Sequence, residues 1–189
     1  MKRLRALFSN KTITIDTVDL VEATREVIDL LQGEIRNKRI VLHLKTADDL
    51  PPVTGEKIQL QQVVLNLLVN AVEAMNGVDD RPRQILVSIE RDDGDHVRLS
   101  VTDSGVGIDP QLAGKLFDPL FTTKREGMGI GLFVSRCIIE SLDGRLWASP
   151  NKDRGATFTF SIPCRADSVS AAERSAPTGQ SARADAERP

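Results

Sequence analysis

Cysteine is scarce: Cys137 and Cys164 are the only two among 189 residues, and without a CxxC pair or a Cys/His cluster they argue against a disulfide scaffold and against a zinc site. Both read as ordinary thiols of the core or surface. A surplus of charge is missing as well. The chain has 25 basic and 27 acidic residues for a net charge of −2, which argues against a general electrostatic grip on nucleic acid or on an acidic membrane. An anionic ligand would have to be held at a local site. Long apolar runs are absent too. The start, Met1-Lys2-Arg3-Leu4-Arg5-Ala6-Leu7-Phe8, is basic in the manner of a secretory signal, but the apolar stretch of about 7 residues that a signal needs does not follow, and nothing approaches a membrane span. The reading is a cytoplasmic chain. What is present, 40% hydrophobic and 28% charged residues, describes a soluble protein of one domain with an extension and a sizeable core.

Patterning along the chain is mixed. From Arg165 to Pro189 the only large aliphatic residue is Val169, too little apolar surface to offset the entropy of ordering, so 165–189 reads as a disordered tail. Leu4, Leu7 and Phe8 have the spacing of an apolar helical face, but the run is too short to stand alone. Asp19 can cap a helix through Val21, Ala23, Val27, Leu30 and Leu31, and Ile40 to Leu44 reads as a strand. After Pro51-Pro52 a strongly apolar helix is expected from about Glu56 to Met75. Two strands, Ile85 to Ile89 and Val97 to Val101, flank the turn-forming Asp92-Asp93-Gly94-Asp95. Asp109-Pro110 marks a short helix, Ile130 to Leu142 another, and Arg145 to Ala148 with Ala156 to Phe160 a closing hairpin. Antiparallel strand pairs with helices inserted between them predict an α+β fold, a two-layer α/β sandwich. No internal repeat is seen.

Four short motifs carry chemistry. Gln62, Asn66, Asn70 and Glu73 fall at i, i+4, i+8 and i+11, a narrow polar stripe on a helix otherwise filled by Leu60, Val63, Val64, Leu67, Leu68, Ala71 and Met75. Such a stripe either caps neighbouring loops and faces water, or supplies an amide oxygen to a hard cation that carries substrate phosphates. Asp103-Ser104-Gly105-Val106-Gly107 follows a strand. It is either a simple turn or a site where the Asp103 carboxylate accepts from the exocyclic amine of adenine while Gly105 and Gly107 let backbone approach the base. Gly127-Met128-Gly129-Ile130-Gly131-Leu132 leads into a helix, either as a flexible turn or as an arrangement that exposes N–H groups to phosphate. It is neither a Walker P-loop nor a Rossmann fingerprint. Phe117-Asp118-Pro119-Leu120-Phe121-Thr122-Thr123-Lys124 is either a hydrophobic loop on the core or the anchored hinge of a lid.

In this order the motifs resemble the asparagine box, first glycine box, phenylalanine box and second glycine box of the sensor histidine kinase ATP-binding domain, in the GHKL superfamily. The resemblance runs from about Thr17 to Pro163. Phe121-Thr122-Thr123-Lys124 with a short lid is most similar to the nitrogen-regulation and oxygen-sensing kinases, and Asp143-Gly144 resembles their turn into the hairpin. It implies a Bergerat fold with a mixed, mostly antiparallel sheet and helices on one face. It also implies ATP and magnesium as cofactors. Asn70 is then the metal ligand, Asn66 assists the phosphates and Asp103 reads adenine. Gly105 and Gly107 shape the base pocket, while Gly127, Gly129, Gly131 and Leu132 flank the triphosphate. Asn66 stands where hydrolytic relatives carry a glutamate base, which favours transfer to a protein side chain. Glu73 stands where other kinases place a basic residue, so phosphate charge falls first to Lys124 and then to Arg125; the catalytic pair is Asn66 and Lys124.

The acceptor histidine of these kinases lies on a preceding dimerisation domain. His43, inside a strand, and His96, beside a turn, lack that context. The resemblance therefore implies residues 1–10 as the stump of a dimerisation-domain helix, 11–164 as the ATP-binding domain, and an acceptor histidine supplied by another domain or chain, with a response regulator as the indirect partner. A stand-alone nucleotide-dependent binding module and an anti-sigma-type serine kinase are the alternatives.

Overall fold

Asp19 opens the first long helix as expected: its Oδ1 accepts hydrogen bonds from the N–H groups of Val21 at 2.8 Å and Glu22 at 3.0 Å, satisfying two of the donors that a helix start leaves open. The computed structural model describes residues 16–93, 95–109, 111–121 and 129–164. In chain order these form β1 (Asp16–Val18), α1 (Leu20–Asn37), β2 (Val41–Thr46), β3 (Val53–Gly55), α2 (Lys57–Ala74), β4 (Gln84–Asp92), β5 (His96–Asp103), a 3₁₀ turn (Ala113–Lys115), α3 (Gly131–Ser141), β6 (Arg145–Pro150) and β7 (Ala156–Pro163). The expected helical stump, tail and lid, with Gly127, Lys124 and Arg125, lie outside the described residues.

Five strands form one sheet in the order β2-β4-β5-β7-β6. The pairs β4–β5, β5–β7 and β6–β7 are antiparallel, as the hairpin signals suggest, while β2 pairs parallel with β4. That parallel pair requires a crossover, which α2 supplies. The short strands β1 and β3 form a separate antiparallel ribbon that a Val53–Cys164 bridge ties to the end of β7. Three residues are too few to show a period, so neither strand is signalled by its pattern.

Strand periodicity assigns the two faces. Val97, Leu99, Val101 and Asp103 are the buried positions of β5 and alternate with half-buried ones, so all four project to the same side. That side meets α2, which packs against β5 and between α1 and α3. The other face carries polar pairs, Ser100 with Thr159 at 3.0 Å and Thr102 with Thr157 at 2.9 Å. The helices thus cover one apolar face, giving the expected two-layer sandwich. Helix α2 buries Leu60, Val63, Val64, Leu67, Leu68, Ala71 and Val72, the residues its 3.6-residue period places inward. On α1 the buried stripe is Leu20, Ala23, Thr24, Val27, Leu31 and Ile35, and Leu30, a quarter turn away, is 73% exposed. The helix expected at Asp109 is shorter: Asp109 Oδ1 accepts from Gln111 N–H at 2.9 Å, and only the 3₁₀ turn follows.

Candidate functional site

Where α2, the end of β5 and the start of α3 meet, they enclose a cleft of about 640 Å³. Its lining includes Asn66, Asn70, Glu73, Asp103, Gly107, Gly129, Gly131 and Leu132, so residues from three of the four motifs converge there, and Phe121 of the remaining motif joins them. Gln62, at the other end of the polar stripe, is exposed and is not part of the lining. Gly105 does not line the cleft either. A Cβ at Gly105 would lie 2.6 Å from the carbonyl oxygen of Ala74, so this glycine is required by the close approach of the turn to α2.

Asp103 sits on the core side of the sheet because parity places it there, and as the last residue of β5 it is also at the rim of the cleft. It is 3% exposed. Its Oδ1 accepts from the N–H of Gly105 at 2.8 Å and of Ala156 at 3.4 Å, and among the described residues no donor meets Oδ2, which is left to the cleft. Burial pushes the Asp103 carboxyl above its ordinary range, and the two backbone donors offset only part of that effect. A buried carboxylate with one free oxygen on a cleft is a strong acceptor for a ligand N–H.

Across the cleft, α2 presents its amides. Asn66 Nδ2 donates to Gly131 O at 3.2 Å and to the fully buried Ser135 Oγ at 3.1 Å. Both amide hydrogens are thereby committed to α3, and Oδ1 becomes the atom free for a ligand. Helix α3 starts beside it with no side-chain cap on its first turn, so its leading N–H groups can take an anion. Glu73, Asp103 and Asp109 line the cleft, and among its described residues no lysine or arginine does. A polyphosphate entering here needs added positive charge. The oxygens of Asn70, Asn66 and Glu73 are hard donors on one helix face, a set that suits magnesium.

The phenylalanine and second glycine motifs meet through Leu120 N–H, which donates to Gly129 O at 3.1 Å. Gly129 has φ +64°, and a Cβ there would lie 2.6 Å from Phe121 O; only glycine fits both the conformation and the space. Phe117 packs against the core, with the Arg136 guanidinium 6.0 Å from its ring centre.

Three residues that brace the cleft from behind its lining were not legible in the sequence. Ser135 lies one turn inside α3 and signals nothing until α2 is placed beside it. Arg81 belongs to Asp79-Asp80-Arg81-Pro82-Arg83, which looks like a solvated charged turn, and Asn151 to the β6–β7 turn. Asn151 Nδ2 donates to Asp103 O at 2.9 Å, and Arg81 reaches the carbonyls of Ser104 and Gly105 at 2.9 Å each.

Comparison with known proteins agrees with this geometry. The family model for histidine kinase-, DNA gyrase B- and HSP90-like ATPases matches residues 55–166. Sporulation kinase E of Bacillus subtilis is 34% identical over 155 residues, 82% of this chain and 20% of that protein. The catalytic domain of histidine kinase ThkA superposes with a TM-score of 0.71 at 35% identity, covering 80% of this chain and 97% of that one. Full-length ShkA in complex with AMPPNP gives a TM-score of 0.73 at 25% identity, over 85% of this chain and 33% of ShkA. The chain thus spans about a fifth of the length of the sporulation kinase it matches.

Proposed function

Since the chain belongs to the histidine kinase-, DNA gyrase B- and HSP90-like ATPase family and has the ATP-binding catalytic domain of a sensor histidine kinase, we propose that its cleft binds Mg-ATP and presents the γ-phosphoryl to a histidine on another domain or chain. The observation that carries this reading is the pairing across the cleft of a buried Asp103 carboxylate, Oδ2 free, with the α2 amides and the uncapped start of α3. Asp103 accepts from the adenine amine. Gly107 lies beside the base, and Gly127, Gly129, Gly131 and Leu132 border the triphosphate.

Asn70 is the magnesium ligand, and Asn66 Oδ1 faces the phosphate end of the cleft. Bound magnesium supplies countercharge to the phosphates, which the acidic lining lacks. Lys124, and after it Arg125, adds positive charge from the lid. Because Asn66 is an amide, the site has no carboxylate base at that position to activate water, which favours transfer to a positioned acceptor over hydrolysis. Catalysis then rests on positioning and charge stabilisation. The expected partners are a histidine-bearing dimerisation domain and, through it, a response regulator.

The test is transfer in trans. The chain is incubated with γ-labelled Mg-ATP and a separate histidine-bearing dimerisation domain. Acid-labile, alkali-stable phosphate on that domain supports the reading. Acid-stable phosphate on a seryl partner would reassign the chain as a serine kinase, and tight ATP binding without transfer to any acceptor would make it a nucleotide-dependent binding module.

A further inference from the structure

The turn after β5 is held in an unusual way. Three successive peptide groups are each fixed at both ends. The Asp103–Ser104 peptide has its carbonyl on Asn151 Nδ2 at 2.9 Å and its N–H on Gln84 O at 3.1 Å. The Ser104–Gly105 peptide has its carbonyl on Arg81 Nε at 2.9 Å and its N–H on Asp103 Oδ1 at 2.8 Å. The Gly105–Val106 peptide has its carbonyl on Arg81 Nη2 at 2.9 Å and its N–H on Ala74 O at 3.0 Å. Arg81 is largely covered, with a side-chain exposure of 20%, and its remaining nitrogen pairs with Asp80 at 2.8 Å.

We propose that Arg81 is a positioning residue for base recognition: its guanidinium locks the Ser104–Gly105 peptide, whose N–H in turn fixes the Asp103 carboxylate so that Oδ2 meets an adenine amine. The inference rests on the reading of Asp103 given above. The physical link is short. A cation on a carbonyl oxygen both orients that peptide plane and polarises it, so the N–H on its far side becomes a stronger and better-aimed donor. Without Arg81 this peptide loses the anchor on its carbonyl, its N–H is held on Oδ1 less firmly, and the carboxylate gains freedom to rotate. A guanidinium suits the task because two nitrogens of its planar fork meet two adjacent carbonyls in a fixed geometry, whereas an ammonium donates from a single atom. The arrangement also explains why a base-reading turn built on two glycines keeps one shape.

The experiment measures Mg-ATP and Mg-GTP affinity by calorimetry for the full chain and its Asp103→Asn, Arg81→Ala and Arg81→Lys variants, with circular dichroism to check the fold. The expected result is that Asp103→Asn erases the preference for ATP, and that both Arg81 variants lower ATP affinity by about tenfold, one hydrogen bond's worth, while GTP affinity stays nearly constant. Methylguanidine should restore part of the ATP affinity of Arg81→Ala. If the wild type shows no ATP preference, or Asp103→Asn leaves it intact, the reading of Asp103 is wrong and the inference goes with it. If Asp103→Asn erases the preference but the Arg81 variants keep it, or weaken ATP and GTP alike with a lower melting temperature, Arg81 is only structural and the proposal is overturned. Should Arg81→Ala unfold, Arg81→Lys, which keeps the stem and charge, carries the same comparison.

Discussion

Asn66 Nδ2 lies 3.1 Å from the buried hydroxyl of Ser135, and this contact joins α2 to α3 at the floor of the cleft. With the second bond to Gly131 O it turns the carboxamide nitrogen to α3 and leaves Oδ1 uncommitted. Ser135→Ala removes one of two anchors. The expected outcome is a fall in phosphoryl transfer by about fivefold, near 1 kcal/mol, with a melting temperature close to wild type because Gly131 O still holds the amide. Single-turnover transfer to a dimerisation domain checks it; an unchanged rate removes Ser135 from the site.

Asp103 gives a stability prediction of opposite sign to its binding prediction. Burial raises its carboxyl in the folded state, so the group's contribution to stability is present below the unfolded pKa and lost as pH rises through the folded one. Ionising Asp103 therefore costs stability. In Asp103→Asn the amide oxygen can keep the Gly105 and Ala156 donors while the amide nitrogen turns to the cleft. Thermal unfolding at pH 7 should show the variant no less stable than wild type, with any gap closing as pH falls to about 4. Mg-ATP affinity should nevertheless drop by about 1–3 kcal/mol, the cost of a mispaired polar contact. A variant that is both less stable at pH 7 and unimpaired in ATP binding would contradict the assignment.

The acidic lining sets the requirement for metal. With Glu73, Asp103 and Asp109 on the walls, ATP in excess EDTA should bind far more weakly than Mg-ATP. Asn70→Ala should weaken Mg-ATP binding while leaving the weak, metal-free binding unchanged, because the side chain lines the cleft and not the core. Calorimetric titrations with and without EDTA read both quantities, and a folded Asn70→Ala with wild-type Mg-ATP affinity would rule out Asn70 as the ligand.

Two glycines of one motif should respond differently. A Cβ at Gly129 meets Phe121 O at 2.6 Å and the backbone is at φ +64°, so Gly129→Ala should disturb the fold around Leu120 and lower the melting temperature. A Cβ at Gly131 would meet Asn66 at an ordinary 3.6 Å. Gly131→Ala should therefore fold normally and lose only nucleotide affinity. Equal melting losses for the two variants would argue against this division of roles.

The histidines should not self-label. His96 begins β5 and Asp103 ends it, which puts them roughly 23 Å apart at about 3.3 Å per residue. His43 is exposed on the edge strand β2. His43 is in register, through Leu86, with Thr102 and so stands on the sheet face that the helices leave uncovered; γ-labelled ATP should leave the purified chain unlabelled. Labelling that disappears in His43→Ala or His96→Ala would refute this.

Sequence and structure divide along physical lines. Elements with a clear period were legible: the apolar stripe of α2, the Asp19 cap and the β4–β5 and β6–β7 hairpins all appear within a few residues of expectation. The residues that line the cleft were legible where type and spacing coincide, as with Asn66, Asn70 and Asp103. What was not legible depends on distant partners. The ribbon of β1 and β3 is too short to show a period, the parallel β2–β4 pairing comes from a crossover, and Arg81, Ser135 and Asn151 gain meaning only from the carbonyls and amides that the fold brings to them. Gly105, expected to shape the base pocket, is not among the residues that line the cleft, and a Cβ there would lie 2.6 Å from Ala74 O.

The central claim is that the cleft between α2 and α3 holds Mg-ATP with its base at Asp103. An amide proton–nitrogen NMR titration with Mg-ATP tests it most directly. The account predicts that the backbone signals of Gly105 and Ala156, the two donors to Asp103 Oδ1, and the side-chain NH₂ of Asn66 shift together and saturate at one concentration. A hollow of about 340 Å³ lined by Asp19, Glu22, Lys57 and Ile58 provides the comparison. Shifts confined to that hollow, with Gly105, Ala156 and Asn66 unmoved at saturating Mg-ATP, would contradict the account.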